Sequence, residues 1–198
     1  MGVDMVDRSR KYVVGISGAS GVIYGIRLLE VLKKLKCETH VVITPAAKVT
    51  IAAETEYTAS SVEKLATKLY RINDIAADIS SGSFLTNGMI LIPCSMHTLG
   101  ALASGMADNL MLRAAEVTMK EQRPLIVVPR ETPLSLIHLE NMVTISRAGA
   151  IVVPAMPGFY MRPKRIEELV DHLVGKVLDL LGIEHKLFKR WEGIPDGK

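Results

Sequence analysis

Cysteine is almost missing from the 198 residues: Cys37 and Cys94 stand alone, in no CxxC pair and at no metal-ligand spacing. No disulfide is assigned, and the pattern suits a reducing compartment. Aromatic residues are also few, with five tyrosines, three phenylalanines and one tryptophan. They offer few stacking platforms for a single nucleic-acid strand. Charge of neither sign dominates, since 24 basic against 21 acidic residues leave +3, too mild a balance for a nucleic-acid footprint. Small anionic ligands remain compatible. Although 48% of the chain is hydrophobic, Gly, Pro or charge interrupts every apolar run before the ~18 residues of a membrane span. The opening MGVDMVDRSRK has no apolar signal region, and Val6 stands where a myristoylation signal needs Ser or Thr. HExxH, GxSxG and DDxxD-like clusters are missing, so zinc, serine-hydrolase and magnesium-diphosphate mechanisms have no support. A cytoplasmic protein is expected, partnered by neither nucleic acid nor membrane, with no metal site. The length suits one domain spanning 1–198, with an N-terminal extension over 1–10 and a C-terminal tail over 183–198.

The stretch VVGISGASGVIYG, Val13 to Gly25, reads as strand, phosphate loop and helix. Val13, Val14 and Ile16 are β-branched, while Gly18 and Gly21 permit backbone angles and a close ligand approach. A helix from about Val22 points its N-terminal amides into the loop, and an anion is expected there. The spacing is GxxGxxG, with neither the dinucleotide fingerprint nor a Walker lysine. The alternative is a tight turn without a ligand, but Ser17 and Ser20 add hydroxyl donors that such a turn does not need.

Further along, ETHVVIT (Glu38 to Thr44) reads as a strand, and Thr44–Pro45 at its end replaces the acidic residue that a ribose would want, which disfavours NAD. Helical patterns cover Ala46 to Glu54 and Ser61 to Leu69, the second capped by Ser60 or Ser61. A short strand near Tyr70 to Ile72 opens a surface loop reaching Thr86, where Ser81, Gly82 and Ser83 line a site or merely link. Strands follow at Met89 to Ile92, Leu125 to Val128 and Ala150 to Val153. Helices are expected from Pro93–Cys94–Ser95 to Leu102, over Leu110 to Lys120 behind Asp108 or Asn109, and from about Ser135. The clearest helix runs from Ile166 to Leu181. Strands alternating with helices predict a three-layer α/β/α sandwich around a Rossmann-like, mostly parallel sheet, with ligands at the carboxyl ends of the strands. The loops GASG, PCSM and PRET then converge.

Among single residues, Arg130 and Glu131 present a cation and a carboxylate on a proline-framed loop, unless they form a plain surface ion pair. His138 is discounted as a structural histidine. Tyr160 pairs a phenol with an apolar ring. Lys176 lies on an apolar helix face and either snorkels to solvent or ends in a phosphate site.

The blocks GISGASG, PCSMHTLGALASG, NLMLRAAEVTMKE, PLIVVPRETPLSLIHLENM and PAMPGFY lie in an order and spacing that resemble the UbiX-type flavin prenyltransferase family, from about Tyr12 to Trp191. The resemblance implies a Rossmann-like flavoprotein fold and a homo-oligomer, commonly a dodecamer. It implies transfer of the dimethylallyl group of dimethylallyl monophosphate to N5 and C6 of reduced FMN, with release of phosphate. The product, prenylated FMN, serves a UbiD-type decarboxylase. By position, the resemblance places Gly18, Ala19, Ser20, Thr44, Ser95, Met96, His97, Thr98 and Arg130 at the FMN. It places Arg113, Lys120, Tyr160 and Lys176 at the prenyl phosphate, some of them from a neighbouring subunit. Glu54 and Glu131 match acidic residues near the reacting ring, and Ser20 and Lys120 join them as catalytic candidates.

Two positions depart from the family's usual pattern: His97 stands where many relatives carry Gly, and Lys176 where many carry Arg. A lysine keeps the cation but loses the planar fork, which bears on phosphate affinity more than on reaction type. PAMPGFY disfavours the cysteine-decarboxylating branch, which carries a PxMNxxMW-like segment. Two other readings stand beside the transferase: a flavin carrier without catalysis, and a flavin-dependent decarboxylase.

Overall fold

The computed structural model describes residues 10–191 and 193. The expected N-terminal extension, apart from Arg10, and the end of the expected C-terminal tail lie outside the described residues. Six strands form one sheet: β1 (Lys11–Ile16), β2 (Glu38–Ile43), β3 (Lys68–Tyr70), β4 (Met89–Cys94), β5 (Leu125–Pro129) and β6 (Ile151–Val152). Their order is β3-β2-β1-β4-β5-β6, and every recorded pairing is parallel. The mostly parallel sheet expected from sequence is thus wholly parallel among the described residues.

Period-two alternation divides the strand side chains between two cores. Val14, Ile16, Ile90, Ile92, Ile126 and Val128 face one layer, where they meet α1 (Val22–Lys34) and α7 (Ile166–Leu180). Val13, Met89, Leu91, Leu125 and Val127 face the other, with α4 (Met96–Ala103), α5 (Leu110–Lys120) and α6 (Leu136–Arg147). Because both faces are covered, the strands carry nearly unbroken apolar runs. Arg27 of α1 donates to Asp171 of α7 at 2.6 Å, locking the first and last helices together. Among the described residues no helix is long and apolar enough to cross a membrane.

Several boundaries move from their expected places. The helix anticipated over Ser61 to Leu69 is α3 (Ala59–Glu63), held by a reciprocal capping box between Thr58 and Ser61. Leu69 instead pairs with Val41 in the sheet, because strand pairing outweighs a weak helical pattern. Pro93 and Cys94 end β4 rather than opening a helix; the register shifts between Leu91 and Cys94, and that irregularity accommodates a residue without an N–H. The Ser81–Gly82–Ser83 loop is tied elsewhere: Arg123 donates to the carbonyls of Gly82 and Phe84, and Ser81 bonds Ser83 at 2.8 Å. Ile166, expected on the apolar face of α7, is 75% exposed.

Candidate functional site

The strand order reverses between β1 and β4, and in such sheets the crevice beyond the carboxyl ends at that point receives ligands. Ser17, just past β1 and only 1% exposed, staples the crevice floor. Its hydroxyl donates to the Pro93 carbonyl at 2.9 Å and accepts from the Ser95 amide at 2.7 Å. This corrects the reading of Ser17 as a free ligand donor, since both of its functions are committed within the chain.

Beside this staple lies a cavity of about 480 Å³ lined by Gly18, Thr44, Ala46, Ser95, His97, Thr98, Asn109 and Met111, among others. The size falls within the range of small-molecule pockets. Three helices begin on its wall, and their N-caps are lining residues. Thr44 caps α2 (Pro45–Glu54) through the Ala47 amide, Ser95 caps α4 through Thr98, and Asn109 caps α5 through Leu112. Each cap satisfies one first-turn amide, and the others in that turn have no partner within the helix. Three positive dipole ends around one cavity favour an anionic, oxygen-rich ligand. Gly18 must lack a side chain, because a Cβ there would overlap the Ala46 methyl group. Polar caps, His97 and the apolar wall from Ile72 and Met111 suit a ligand that is anionic at one end and partly apolar.

The other turns of the phosphate loop form a rim. At the start of α1 the expected anion is supplied by the chain itself, because the Gly21 amide donates to the Glu54 carboxylate at 2.8 Å. Glu54 closes α2, and that position brings it to the neighbouring helix start. Arg130 and Glu131 do not pair with each other: Arg130 Nε donates to the Ser20 carbonyl at 3.1 Å, while Glu131 accepts from the Thr132 amide. Ala19 and Met96 adjoin the cavity in sequence without lining it. His138 serves a capping box with Ser135 at the start of α6, in keeping with its discounted role.

The four phosphate-gripping candidates are not gathered within one chain. Arg113 and Lys120 ride on α5, on one face of the sheet; Arg113 contacts the Ser80 carbonyl and Glu116, and Lys120 contacts Glu121. Tyr160 bonds His172 of α7, on the opposite face, at 3.1 Å. Lys176 is half exposed and its Nζ lies 3.9 Å from Asp179, so it snorkels outward. Sequence reasoning missed Asn109 as a lining residue and read it only as a cap. It also missed His172, although a histidine amid Val170, Leu173 and Val174 on an apolar face was a visible signal. Cys37 and Cys94 are free and buried, and burial pushes the Cys94 thiol up to about 12, which makes it a poor nucleophile.

The parallel sheet with its 3-2-1-4-5-6 order, and the cavity of helix N-termini at the switch point, define a doubly wound α/β protein whose crevice is fitted to an anionic ligand. The Flavoprotein family model matches residues 4–180. The chain is 53% identical to a probable UbiX-like flavin prenyltransferase of Bacillus subtilis, across 95% of this chain and 92% of that one. It is 51% identical to the mitochondrial flavin prenyltransferase PAD1 of Saccharomyces cerevisiae, across 94% and 77%. Among solved structures, AnUbiX in complex with FMN and dimethylallyl pyrophosphate superposes with a TM-score of 0.93 at 48% identity, covering 94% of this chain and all of that one. A dodecameric FMN-dependent UbiX-like decarboxylase from Escherichia coli O157:H7 gives 0.91 at 50% identity, covering 92% and 100%. The chain belongs to the flavoprotein family and, within it, to the UbiX-like flavin prenyltransferases.

Proposed function

We propose that this protein is a flavin prenyltransferase that moves the dimethylallyl group of dimethylallyl monophosphate onto N5 and C6 of reduced FMN and releases phosphate. The observation that carries this reading is the cavity at the β1/β4 switch point, where the starts of α2, α4 and α5 meet beside an apolar wall. Reduced FMN, when bound, supplies the electron-rich ring that attacks the allylic carbon. Thr44, Ser95 and Thr98 would turn hydroxyls toward the flavin phosphate beside the uncapped first-turn amides of α2 and α4, and Gly18 gives the backbone a close approach. His97 lies on the cavity wall beside the ring's expected place, with Met96 and Ala19 next to the cavity in sequence, and Arg130 braces the phosphate loop through the Ser20 carbonyl. Ser20, Glu54 and Glu131 stand on the rim, where proton traffic to the ring would pass.

An allylic phosphate leaves readily because its cation is delocalised, so fixed cations and a phenol suffice to stabilise the departing group. Arg113, Lys120, Tyr160 and Lys176 form that clamp when α5 of one subunit meets the Tyr160–Lys176 surface of another. The placement of α5 and α7 on opposite faces of the sheet supports a site shared between subunits of a homo-oligomer, taken here as a dodecamer. The chain acts as one flavin-binding domain in the cytoplasm and hands prenylated FMN to a UbiD-type decarboxylase.

The test is anaerobic single turnover with reduced FMN and dimethylallyl monophosphate in the presence of EDTA, followed by mass spectrometry of the flavin. A flavin heavier by one five-carbon unit is the expected product. Bound but unmodified FMN would instead support a carrier, and CO₂ release from an unsaturated acid over unmodified FMN would support a decarboxylase.

A further inference from the structure

We propose that His172 is a positioning residue, holding its single ring proton on Nε2 so that the Tyr160 hydroxyl proton is turned outward, toward the phosphate of the prenyl donor. The inference rests on the prenyl-transfer reading and assigns Tyr160 a direction within it. His172 is 6% exposed on the inner side of α7, and a polar ring so placed needs partners for both nitrogens. The Gly158 amide donates to Nδ1 at 3.1 Å. An amide nitrogen has only a proton to offer, so Nδ1 is bare and accepts, and the ring proton belongs to Nε2. Nε2 lies 3.1 Å from the Tyr160 oxygen and donates to it. With one lone pair engaged in this way, the hydroxyl must direct its own proton elsewhere. The half-exposed Tyr160 side chain therefore meets an anion as a donor. In the other tautomer the Gly158 amide would face a second N–H, and Tyr160 would turn its proton inward and present lone pairs to the phosphate.

Packing preserves the arrangement. The Tyr160 and His172 rings meet edge to face, 5.5 Å between centroids at 80°. Gly158 lets both rings close on its amide: a Cβ there would lie 3.0 Å from the Tyr160 ring and 3.2 Å from His172 Cε1. Phe188 covers the remaining side of the imidazole at 4.9 Å. The titratable and charged neighbours are Tyr160 from the loop, Lys176 one turn along α7, and His185 and Arg190 beyond Phe188. Burial first, and then the Lys176 charge, hold the imidazole below the ordinary histidine range, which keeps the ring neutral near pH 7.

Two substitutions separate the two ring functions. His172→Asn retains an acceptor for Gly158 but cannot donate to Tyr160, whereas His172→Gln retains a donor at the Nε2 position. Single-turnover rates at varied dimethylallyl monophosphate should fall about tenfold for His172→Asn, the size of one well-placed hydrogen bond, with less loss for His172→Gln. In a Tyr160→Phe background the His172→Asn loss should vanish, and FMN affinity by absorbance titration should stay constant throughout. Equal losses with and without the tyrosine hydroxyl would overturn the positioning role. A second readout needs no turnover: magic-angle-spinning ¹⁵N spectra of histidine-labelled wild type, with the His172 signal identified by its absence in His172→Gln. A bare Nδ1 and a protonated Nε2 at pH 7.5 is the expected result, and a protonated Nδ1 overturns the inference. If wild type makes no prenylated FMN, the transferase reading falls by itself, and the ¹⁵N spectra still decide the tautomer.

Discussion

Ser17→Ala tests the floor of the crevice more sharply than any change at its rim. The substitution removes a hydroxyl that is 1% exposed and bridges strand-end residues 76 and 78 positions away. Its two bonds are unequal. The Pro93 carbonyl keeps a second donor, the Ser17 amide at 3.2 Å, so its loss is partial and costs about 0.5–1 kcal/mol. The Ser95 amide has no other acceptor among the described residues, and leaving this part-buried donor unpaired costs about 1–3 kcal/mol. The sum, about 1.5–4 kcal/mol, corresponds in a chain of this size to a fall in Tm of about 3–16 °C. Differential scanning calorimetry of wild type and variant at one protein concentration reads this directly, the fixed concentration being needed because assembly contributes to Tm. FMN affinity should fall in parallel, since the freed Ser95 is the cap of α4 and lines the cavity. Ser20→Ala is the control, because its hydroxyl takes no part in the staple, and its Tm should stay within the small range of surface changes. A Ser17→Ala protein that melts with wild type would refute the staple, and with it the account of how β1 and β4 hold the crevice open.

Three further outcomes are expected. Lys176→Ala should slow prenyl transfer by roughly a hundredfold, as loss of one transition-state donor does, while Lys176→Arg retains the rate and both bind FMN; single-turnover mass spectrometry checks this. Arg113→Ala and Lys176→Ala should each be nearly inactive alone, yet regain activity when unfolded and refolded together, because some shared sites then receive both intact residues; no recovery in the mixture would place the clamp within one subunit. For pH, His172 has a folded pKa lowered below the ordinary ~6.5 of an exposed histidine. Between these two values the unfolded chain binds a proton that the native chain does not, so the stability contribution is full above about pH 6.5 and is lost as pH falls below it. Urea melts from pH 5 to 7 should show this slope, and His172→Gln should flatten it.

Local chemistry made much of the fold legible. Apolar strand runs, cap residues and glycine-rich turns act over a few positions, so the strands, most of the helices and the three converging loops could be read directly from residue order. Leu69 shows where that reading stops, because whether it joins a helix or a strand depends on Val41 lying alongside it. The same limit governs the site. Thr44, Ser95 and Thr98, which the family resemblance assigned to the FMN, line the cavity, at a strand end and a first helical turn that are local features of the sequence. The staple through Ser17, the Glu54 carboxylate on the Gly21 amide and the Arg130 bond to Ser20 join residues 76, 33 and 110 positions apart. Such contacts depend on strand order, which no short-range preference encodes. His172 is the clearest instance: as a residue it marks only a polar interruption of an apolar face, and its proton acquires a place and a direction when the loop carrying Gly158 and Tyr160 folds against α7. By itself, then, the sequence determined most of the elements, the family and the kinds of groups at the crevice. The tertiary structure alone decided which of those groups are consumed in holding it open and which remain free to meet a ligand, because each polar atom can satisfy only the partner that packing brings within reach.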